Sequence, residues 1–269
     1  AENDSLKTKF NWGNDAITTY AGTLNAEATF ARNQSDILTT LIRISPSDVI
    51  INDSIWKVSE STIRIDSGHV HIDNFGAQNE NQHLAINGSL TDRPTDSLTI
   101  DLNRIAIEYI LDIVRFNAIE FSGLATGKVY VKSPFDGLQA HTHLNVQNFH
   151  FNNGLLGDMD VTGKWDKEIG ILIDADIREG NVAHTTVNGF ISPQQNGLDL
   201  QIDANETNLT FLNSFLGGIF SDIEGRVKGN MHLYGSFKNL NLTGDAVGTV
   251  GLTPYVLNTP LTIKNDTIR

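Results

Sequence analysis

The chain has 269 residues, no cysteine and a formal net charge of −13 at pH 7. This negative charge disfavours nucleic acid and anionic membrane surfaces as partners, and the lack of cysteine excludes disulfides and thiolate metal sites. No apolar run in the sequence reaches the roughly 20 residues of a membrane-spanning helix, and no signal peptide opens it. Both ends look cut, so we expect a segment of a longer protein.

Short strands fill the first part of the chain, where aliphatic residues alternate with polar ones. This alternation predicts one apolar and one solvated face. Pro46 is predicted to interrupt the ladder, and 66–68 and 87–88 are predicted turns. The predicted strands are 6–10, 24–30, 38–44, 49–51, 56–58, 63–65, 70–72, 84–86 and 98–102.

The period then changes to that of a helix. Ile107, Ile110, Leu111 and Val114 are spaced as on one helical face, which predicts a short amphipathic helix at about 105–114. Strands follow, with a loop at 193–197 and a turn at Gly235-Ser236. The later predicted strands are 144–146, 149–151, 159–161, 169–177, 182–191, 198–202, 223–233 and 240–242.

A pattern recurs at a distance of 102 positions. The shift carries Gly123 to Gly225 and Gly127 to Gly229, together with apolar residues around them. Glycine and apolar positions are those that a repeated backbone unit keeps. We therefore predict one continuous β segment over 1–269, with internal repeats at about 84–165 and 185–265. The second copy predicts a weaker helix at 207–216 that stops at Gly217-Gly218.

Two histidine pairs, His69/His71 and His141/His143, have the spacing of metal ligands on one face of a strand. The aliphatic residues between and after them mark the other face as the buried one. We therefore interpret these histidines as solvated strand residues and predict no metal site.

A glycine pattern, Gly123 to Lys128, resembles a phosphate-binding loop but has three residues between its glycines instead of four. The glycines instead favour a bend or a close backbone approach. Acidic pairs such as Asp158/Asp160 and Asp174/Asp176 are typical of a solvated outer face. No catalytic motif is present, so the sequence predicts neither an enzyme nor a cofactor.

An apolar sheet face needs cover from protein or from a ligand, and two short helices give little cover. The alternation predicts which side chains line this face, either as ordinary core or as a lipid-binding groove. They are Ile63, Ile65, Val70, Ile72, Leu84, Ile86, Leu98, Ile100, Leu102, Val129, Val131, Leu144, Val146, Ile171, Ile173, Leu198, Leu200, Ile202, Met231, Leu233, Leu240 and Leu242.

The order of a short apolar segment, a strand with two glycines four residues apart, a turn and Leu-x-Leu resembles the repeats of the TamB translocation-and-assembly family in the AsmA-like superfamily. The resemblance is carried by 212–242 with Gly244, by 110–138, and by the strands around Asn87-Gly88 and Asn188-Gly189. It is strongest over about 84–265.

This resemblance implies an all-β fold, an elongated and curled antiparallel or mixed sheet (a "β-taco" groove) with one or two short helices. It also implies a periplasmic location in a Gram-negative envelope, with inner-membrane anchoring through a segment absent from this chain. The implied partners are phospholipid acyl chains and an outer-membrane barrel protein of the TamA/BAM type. The implied role is non-enzymatic lipid transfer toward the outer membrane, in support of its biogenesis.

Two other functions stay open. A scaffold would guide outer-membrane β-barrel proteins or autotransporters during assembly by pairing with their strands. An adhesin or glycan-active protein would need aromatic residues on an outer face, whereas Trp12, Trp56 and Trp165 are scattered along the sequence.

Overall fold

Most of the described residues lie in β-strands. The computed structural model describes residues 4–12, 20–32, 36–113, 120–132, 137, 139–152 and 154–268. Eighteen strands belong to one sheet, and the strand pairs with a defined register are all antiparallel. The predicted all-β class with antiparallel pairing is confirmed.

Helices occur at only two places among the described residues. In chain order the elements are β1 (Asp4–Trp12), β2 (Tyr20–Arg32), β3 (Leu38–Ile44), β4 (Ser47–Ile51), β5 (Ser54–Val58), β6 (Ser61–Asp66), β7 (His69–Asn79), β8 (Gln82–Leu90), β9 (Leu98–Ala106), α1 (Ile107–Ile113), β10 (Phe121–Lys132), β11 (Gln139–Phe151), β12 (Gly154–Asp166), β13 (Gly170–Glu179), β14 (Ala183–Ser192), β15 (Gly197–Asn208), a 3₁₀ helix (Thr210–Leu212), α2 (Asn213–Leu216), β16 (Phe220–Ser236), β17 (Asn239–Pro254) and β18 (Leu261–Ile268).

The chain divides into two compact units. Unit 1 comprises Ala1–Ile105 and Gly127–His141, and unit 2 comprises Ala106–Thr126 and Thr142–Arg269. The prediction of one continuous segment stays a prediction, as do the repeat boundaries at 84–165 and 185–265.

Unit 1 contains two interrupted strands. Strand β2 pairs with β3 along one part of its length and with β4 along another, and the break between them falls at Ser45-Pro46, as predicted. Proline cannot donate to the ladder. The amide of Ser45 still donates to the Asn25 carbonyl (2.9 Å), and the Ser47 hydroxyl accepts from the Asn25 amide (3.2 Å). A second break, between β5 and β6, lies opposite β7, which pairs with both.

Unit 2 is built around an antiparallel meander. Strands β12 to β18 follow one another in the sheet in chain order. Short turns join most neighbours, and the predicted loop at 193–197 lies between β14 and β15. The turn predicted at Gly235-Ser236 is misplaced, since β16 continues through Ser236 and the turn falls on 237–238.

Residues with a left-handed backbone conformation (positive φ) shift the alternation of side chains between the two faces of a strand. The strands predicted at 144–146 and 149–151 are one strand, β11, in which Asn148 has φ 51°. The predicted turn at 87–88 is wrong, because both residues lie inside β8. Asn87 faces a bulge in β7, where its side-chain oxygen accepts from the amide of Asn74 (2.7 Å).

The strand–helix–strand pattern occurs twice. A shift of 102 positions places α1 on 209–215, where the 3₁₀ helix and α2 lie. It also carries Arg104 (φ 55°) to Glu206 (φ 58°), so each copy bends shortly before its helix. The first helix begins at Ile107 rather than at 105, because this bend precedes it; Val114, its predicted end, lies outside the described residues. The predicted stop of the second at Gly217 is confirmed.

The glycines shared by the two copies allow close backbone approach, as predicted. A Cβ on Gly225 would lie 2.2 Å from the Thr249 carbonyl oxygen, and one on Gly123 would lie 2.7 Å from Val146 Cγ1. Gly123 to Lys128 therefore belongs to strand β10, where the Lys128 ammonium pairs with Asp101 (3.2 Å).

No helix among the described residues has the length and hydropathy to cross a membrane.

Candidate functional site

The main candidate site is the apolar face of unit 2. Because side chains two residues apart lie on the same face of a strand, the registers of β12 to β17 align apolar residues in rows across six strands. We call the surface formed by three of these rows the apolar face. Its rows are Val161, Ala175, Val187, Ile202, Met231 and Gly244; Gly163, Ile173, Gly189, Leu200, Leu233 and Leu242; and Trp165, Ile171, Ile191, Leu198, Gly235 and Leu240.

The sheet of unit 2 curves toward this face. In a flat sheet β12 and β16 would be four spacings, or about 19 Å, apart. The three-residue 3₁₀ helix contacts both of them. Its residue Phe211 lies against Gly154, at the start of β12, while the amide of Leu209 donates to the Gly225 carbonyl on β16 (3.1 Å). Such contacts require the intervening strands to bend around the apolar side.

Aromatic side chains close one end of the apolar face. Phe211 is buried and its ring lies 5.2 Å from that of Phe151, which in turn lies 5.3 Å from Phe121. They pack in one cluster with Leu200, Leu233 and other residues of the face. The three rings therefore cover this end of the apolar face and are continuous with its packed side chains.

Asn213 fixes the position of α2 over the sheet. Its side-chain oxygen accepts from the amide of Ile223 (2.8 Å), and its side-chain nitrogen donates to the carbonyl of the same residue (2.8 Å). The nitrogen also donates to the Thr210 carbonyl (3.0 Å). One side chain thus pairs with β16 as a neighbouring strand would.

The predicted lining residues fall into three classes of exposure. Fourteen are half-buried, including Ile202 at the centre of the meander, and Leu242 on β17 is 42% exposed. A closed core would bury all of them, so the half-buried class shows a face that protein covers only in part. The buried members are Leu98, Leu102, Val146, Leu198, Leu200, Met231 and Leu233.

Unit 1 brings part of the predicted set together in cross-strand pairs. The pairs are Ile63 with Ile72, Ile65 with Val70, Leu84 with Leu102, and Ile86 with Ile100. Val129 and Val131 lie on β10, where both are half-buried. Unit 1 therefore has an apolar face of its own.

Sequence reasoning missed several residues of the apolar face. Val187 and Ile191 lie on β14 between strands whose residues were predicted, and their own alternation could have identified them. Phe211 had no such signal, because its role depends on a distant contact with β12 and β11.

The opposite face of unit 2 is polar and carries ion pairs. On it, the Arg178 guanidinium donates to Asp176 (2.6 Å), and His184 contacts the other oxygen of that carboxylate (2.7 Å). The guanidinium, and then the imidazole, lower the pKa of Asp176 from its ordinary 3.8 to about 2. The predicted acidic pair thus lies on an outer face.

The paired histidines also lie among polar side chains. His69 contacts Asp92 (3.2 Å), His71 contacts Ser89, and the ring of His141 stacks on Tyr130 at 4.9 Å. His143 lies 3.8 Å from Asp160. The described residues contain no group of three or more His, Asp or Glu side chains that could hold a metal ion.

No protein-family model, curated protein or solved structure matches this chain. Function is therefore inferred from the apolar face, and the TamB-like resemblance stays a prediction.

The chemistry available at the apolar face is non-covalent. Its three rows carry no ionisable side chain, so they offer burial to a flexible apolar ligand rather than hydrogen bonds or proton transfer. Long hydrocarbon chains are ligands of this kind.

Proposed function

We propose that this chain is a non-enzymatic periplasmic segment of a bridge-like lipid-transfer protein. Phospholipid acyl chains lie on the apolar face and move along it toward the outer membrane, in support of outer-membrane biogenesis. The observation that carries this proposal is the continuity of the apolar rows across β12 to β17 together with the half-buried state of several of their side chains, such as Val187, Ile191 and Ile202.

The energetics of such a face suit transfer. Each methylene moved from water to an apolar site contributes about 0.8 kcal/mol, so ten methylenes contribute about 8 kcal/mol before the costs of binding. This interaction has no preferred direction. An acyl chain can therefore slide from one row to the next without breaking a specific polar contact.

The resemblance to the TamB family supports the cellular setting of the proposal. It supplies the periplasmic location, inner-membrane anchoring and an outer-membrane barrel partner of the TamA/BAM type. These parts rest on the glycine-containing repeats alone.

A charge placed within the apolar face tests the proposal. Ile202 is half-buried, on β15 between Val187 and Met231. Gln201 is its exposed neighbour on the polar face. We expect the purified wild-type chain to release phospholipid on solvent extraction and to show lipid adducts by native mass spectrometry. Ile202→Asp is expected to lose most of this lipid because it places a carboxylate among the acyl chains, whereas Gln201→Asp keeps it.

Circular dichroism confirms that each variant is folded. Lipid retained by a folded Ile202→Asp variant, or a wild-type chain without lipid, contradicts the proposal. Photo-crosslinking from the apolar face that captures polypeptide instead of lipid supports the scaffold alternative.

A further inference from the structure

A second apolar surface lies at the turn between β17 and β18. Val256 is 95% exposed, and Tyr255 and Leu257 beside it are 58% and 61% exposed. Ile219 (60%) and Leu261 (42%) are exposed as well. We call these five residues the apolar tip.

Backbone contacts hold the apolar tip together. The amide of Tyr255 donates to the carbonyl of Ile219 (3.1 Å), which joins the turn to the segment after α2. Leu261 pairs with Leu252 across β17 and β18. The five side chains therefore belong to one end of unit 2.

The apolar tip is also free of charge. No Asp, Glu, Lys or Arg occurs from Ala246 to Ile263 or from Thr207 to Ser221. The Tyr255–Ile219 hydrogen bond joins these two segments. Charged residues are 19% of the chain, so two uncharged segments meeting at one end leave a neutral surface on an otherwise acidic protein.

Several polar backbone groups of the turn are satisfied within it. The amides of Leu257 and Asn258 both donate to the Pro254 carbonyl (3.2 and 2.8 Å), and the Thr259 hydroxyl donates to the Leu257 carbonyl (3.1 Å). Entry into an apolar medium costs several kcal/mol for each unpaired polar group. These internal hydrogen bonds remove much of that cost.

We propose that the apolar tip inserts into the interfacial region of a zwitterionic lipid bilayer. Val256 and Leu257 enter the acyl region, and the Tyr255 ring takes the headgroup level that tyrosine favours. The net charge of the chain favours zwitterionic over anionic lipid, because a chain of net charge −13 is repelled by anionic surfaces.

The exposed side chains fit a second copy of the chain less well. A stable protein interface buries about 800 Å² per partner and draws on some 20–30 residues a side. Five side chains provide much less. Membrane insertion of the apolar tip goes beyond the proposed lipid transfer, because it concerns a different surface. It holds whether or not the apolar face binds lipid.

Flotation with phosphatidylcholine vesicles tests the proposal. We expect the wild-type chain to float with the vesicles, independently of ionic strength. The double variant Val256→Asp/Leu257→Asp is expected to partition at least about tenfold less, because each carboxylate must enter the interface. Val182→Asp is the matched control. Val182 is 59% exposed at another turn of unit 2, but follows Arg178 and Glu179 closely, and its replacement should leave flotation unchanged.

A second variant keeps the test decisive if the double variant misfolds. Val256→Trp retains an apolar tip, and its fluorescence is expected to shift to the blue when phosphatidylcholine vesicles are added. Absence of wild-type flotation, equal flotation of a folded double variant, or no blue shift overturns the proposal. A wild-type dimer in sedimentation that the double variant abolishes overturns it in favour of a second copy. Lipid extraction reports on the apolar face separately.

Discussion

Single residues in the left-handed region keep the apolar side chains of this protein on one face. In β11, Asn148 lies between buried Val146 and buried Phe149, whose spacing would otherwise place them on opposite faces. The Asn148 amide is not left unpaired, because the Asp158 carboxylate accepts its hydrogen bond (2.9 Å). One backbone conformation thus changes the phase of a whole strand.

The free energy of unfolding is expected to depend on pH through Asp176. Its pKa is about 2 in the fold, below the ordinary 3.8, so its ion pairs stabilise the fold above about pH 4. That contribution is lost as the pH falls from about 4 to about 2. We expect Asp176→Asn to lower the free energy of unfolding at pH 7 by about 0.2–1 kcal/mol, the range of exposed pairs, and to approach wild type as the pH falls below about 2.

Urea unfolding of both proteins across this pH range measures the difference. Asp174→Asn, an exposed change on the same face of β13, is the control and should not reproduce the pH dependence. A deficit of Asp176→Asn that keeps its full size below about pH 2 would show that its cause is not the carboxylate charge.

The strand–helix–strand element is the unit that organises the apolar face. In the first copy Ile107, where α1 begins, packs in one cluster with Val146 and Ile177. In the second, Phe211 packs with Phe151 and Leu200. Each copy places a short helical segment on apolar strand residues, and the second needs a special anchor because α2 has only four residues.

Asn213 is that anchor. Replacing it with alanine leaves the backbone amide and carbonyl of Ile223 without their partners, and an unsatisfied buried group costs about 1–3 kcal/mol. We expect Asn213→Ala to lower the free energy of unfolding by this amount and to speed amide hydrogen exchange at Ile223. Ser214→Ala, at the exposed neighbouring position, should change neither. Equal stability of the two variants would contradict an anchoring role.

At the scale of the whole molecule, both units align apolar side chains across neighbouring strands, and the described residues include only short helices to cover them. Apolar side chains that the protein covers only in part favour a ligand or a partner as additional cover. A bound lipid is therefore expected to be part of the stable folded state.

Removal of bound lipid is expected to lower the melting temperature of the chain. A ligand that binds only the folded chain stabilises it by about 2.7 kcal/mol at a hundredfold excess over Kd, which corresponds to about 5–10 °C for a chain of this size. We expect the detergent-delipidated chain to melt lower by this margin in calorimetry and to recover on addition of phosphatidylcholine. Ile202→Asp should melt at one temperature with or without lipid. A delipidated wild-type chain with an unchanged melting temperature would contradict lipid as a stabilising ligand.

Alternation in the sequence was sufficient for the fold class and for most of the face. Side chains such as Ile171, Ile173 and Ile202 could be assigned because a strand repeats every two residues, and this period is local. Another local signal, turn composition, failed at Asn87-Gly88, a typical turn pair that lies inside β8 opposite a bulge in β7.

The sequence by itself determined the strands, the two helical segments, the repeated glycines and the neutral segments around 207–221 and 246–263. Only the tertiary structure decided which rows align, that Phe211 closes one end of the apolar face, and that Ile219 and Tyr255 meet at one tip. The physical reason is that alternation and charge are properties of neighbouring residues, whereas register, curvature and the contact of distant segments depend on hydrogen bonds and packing between strands far apart in the chain.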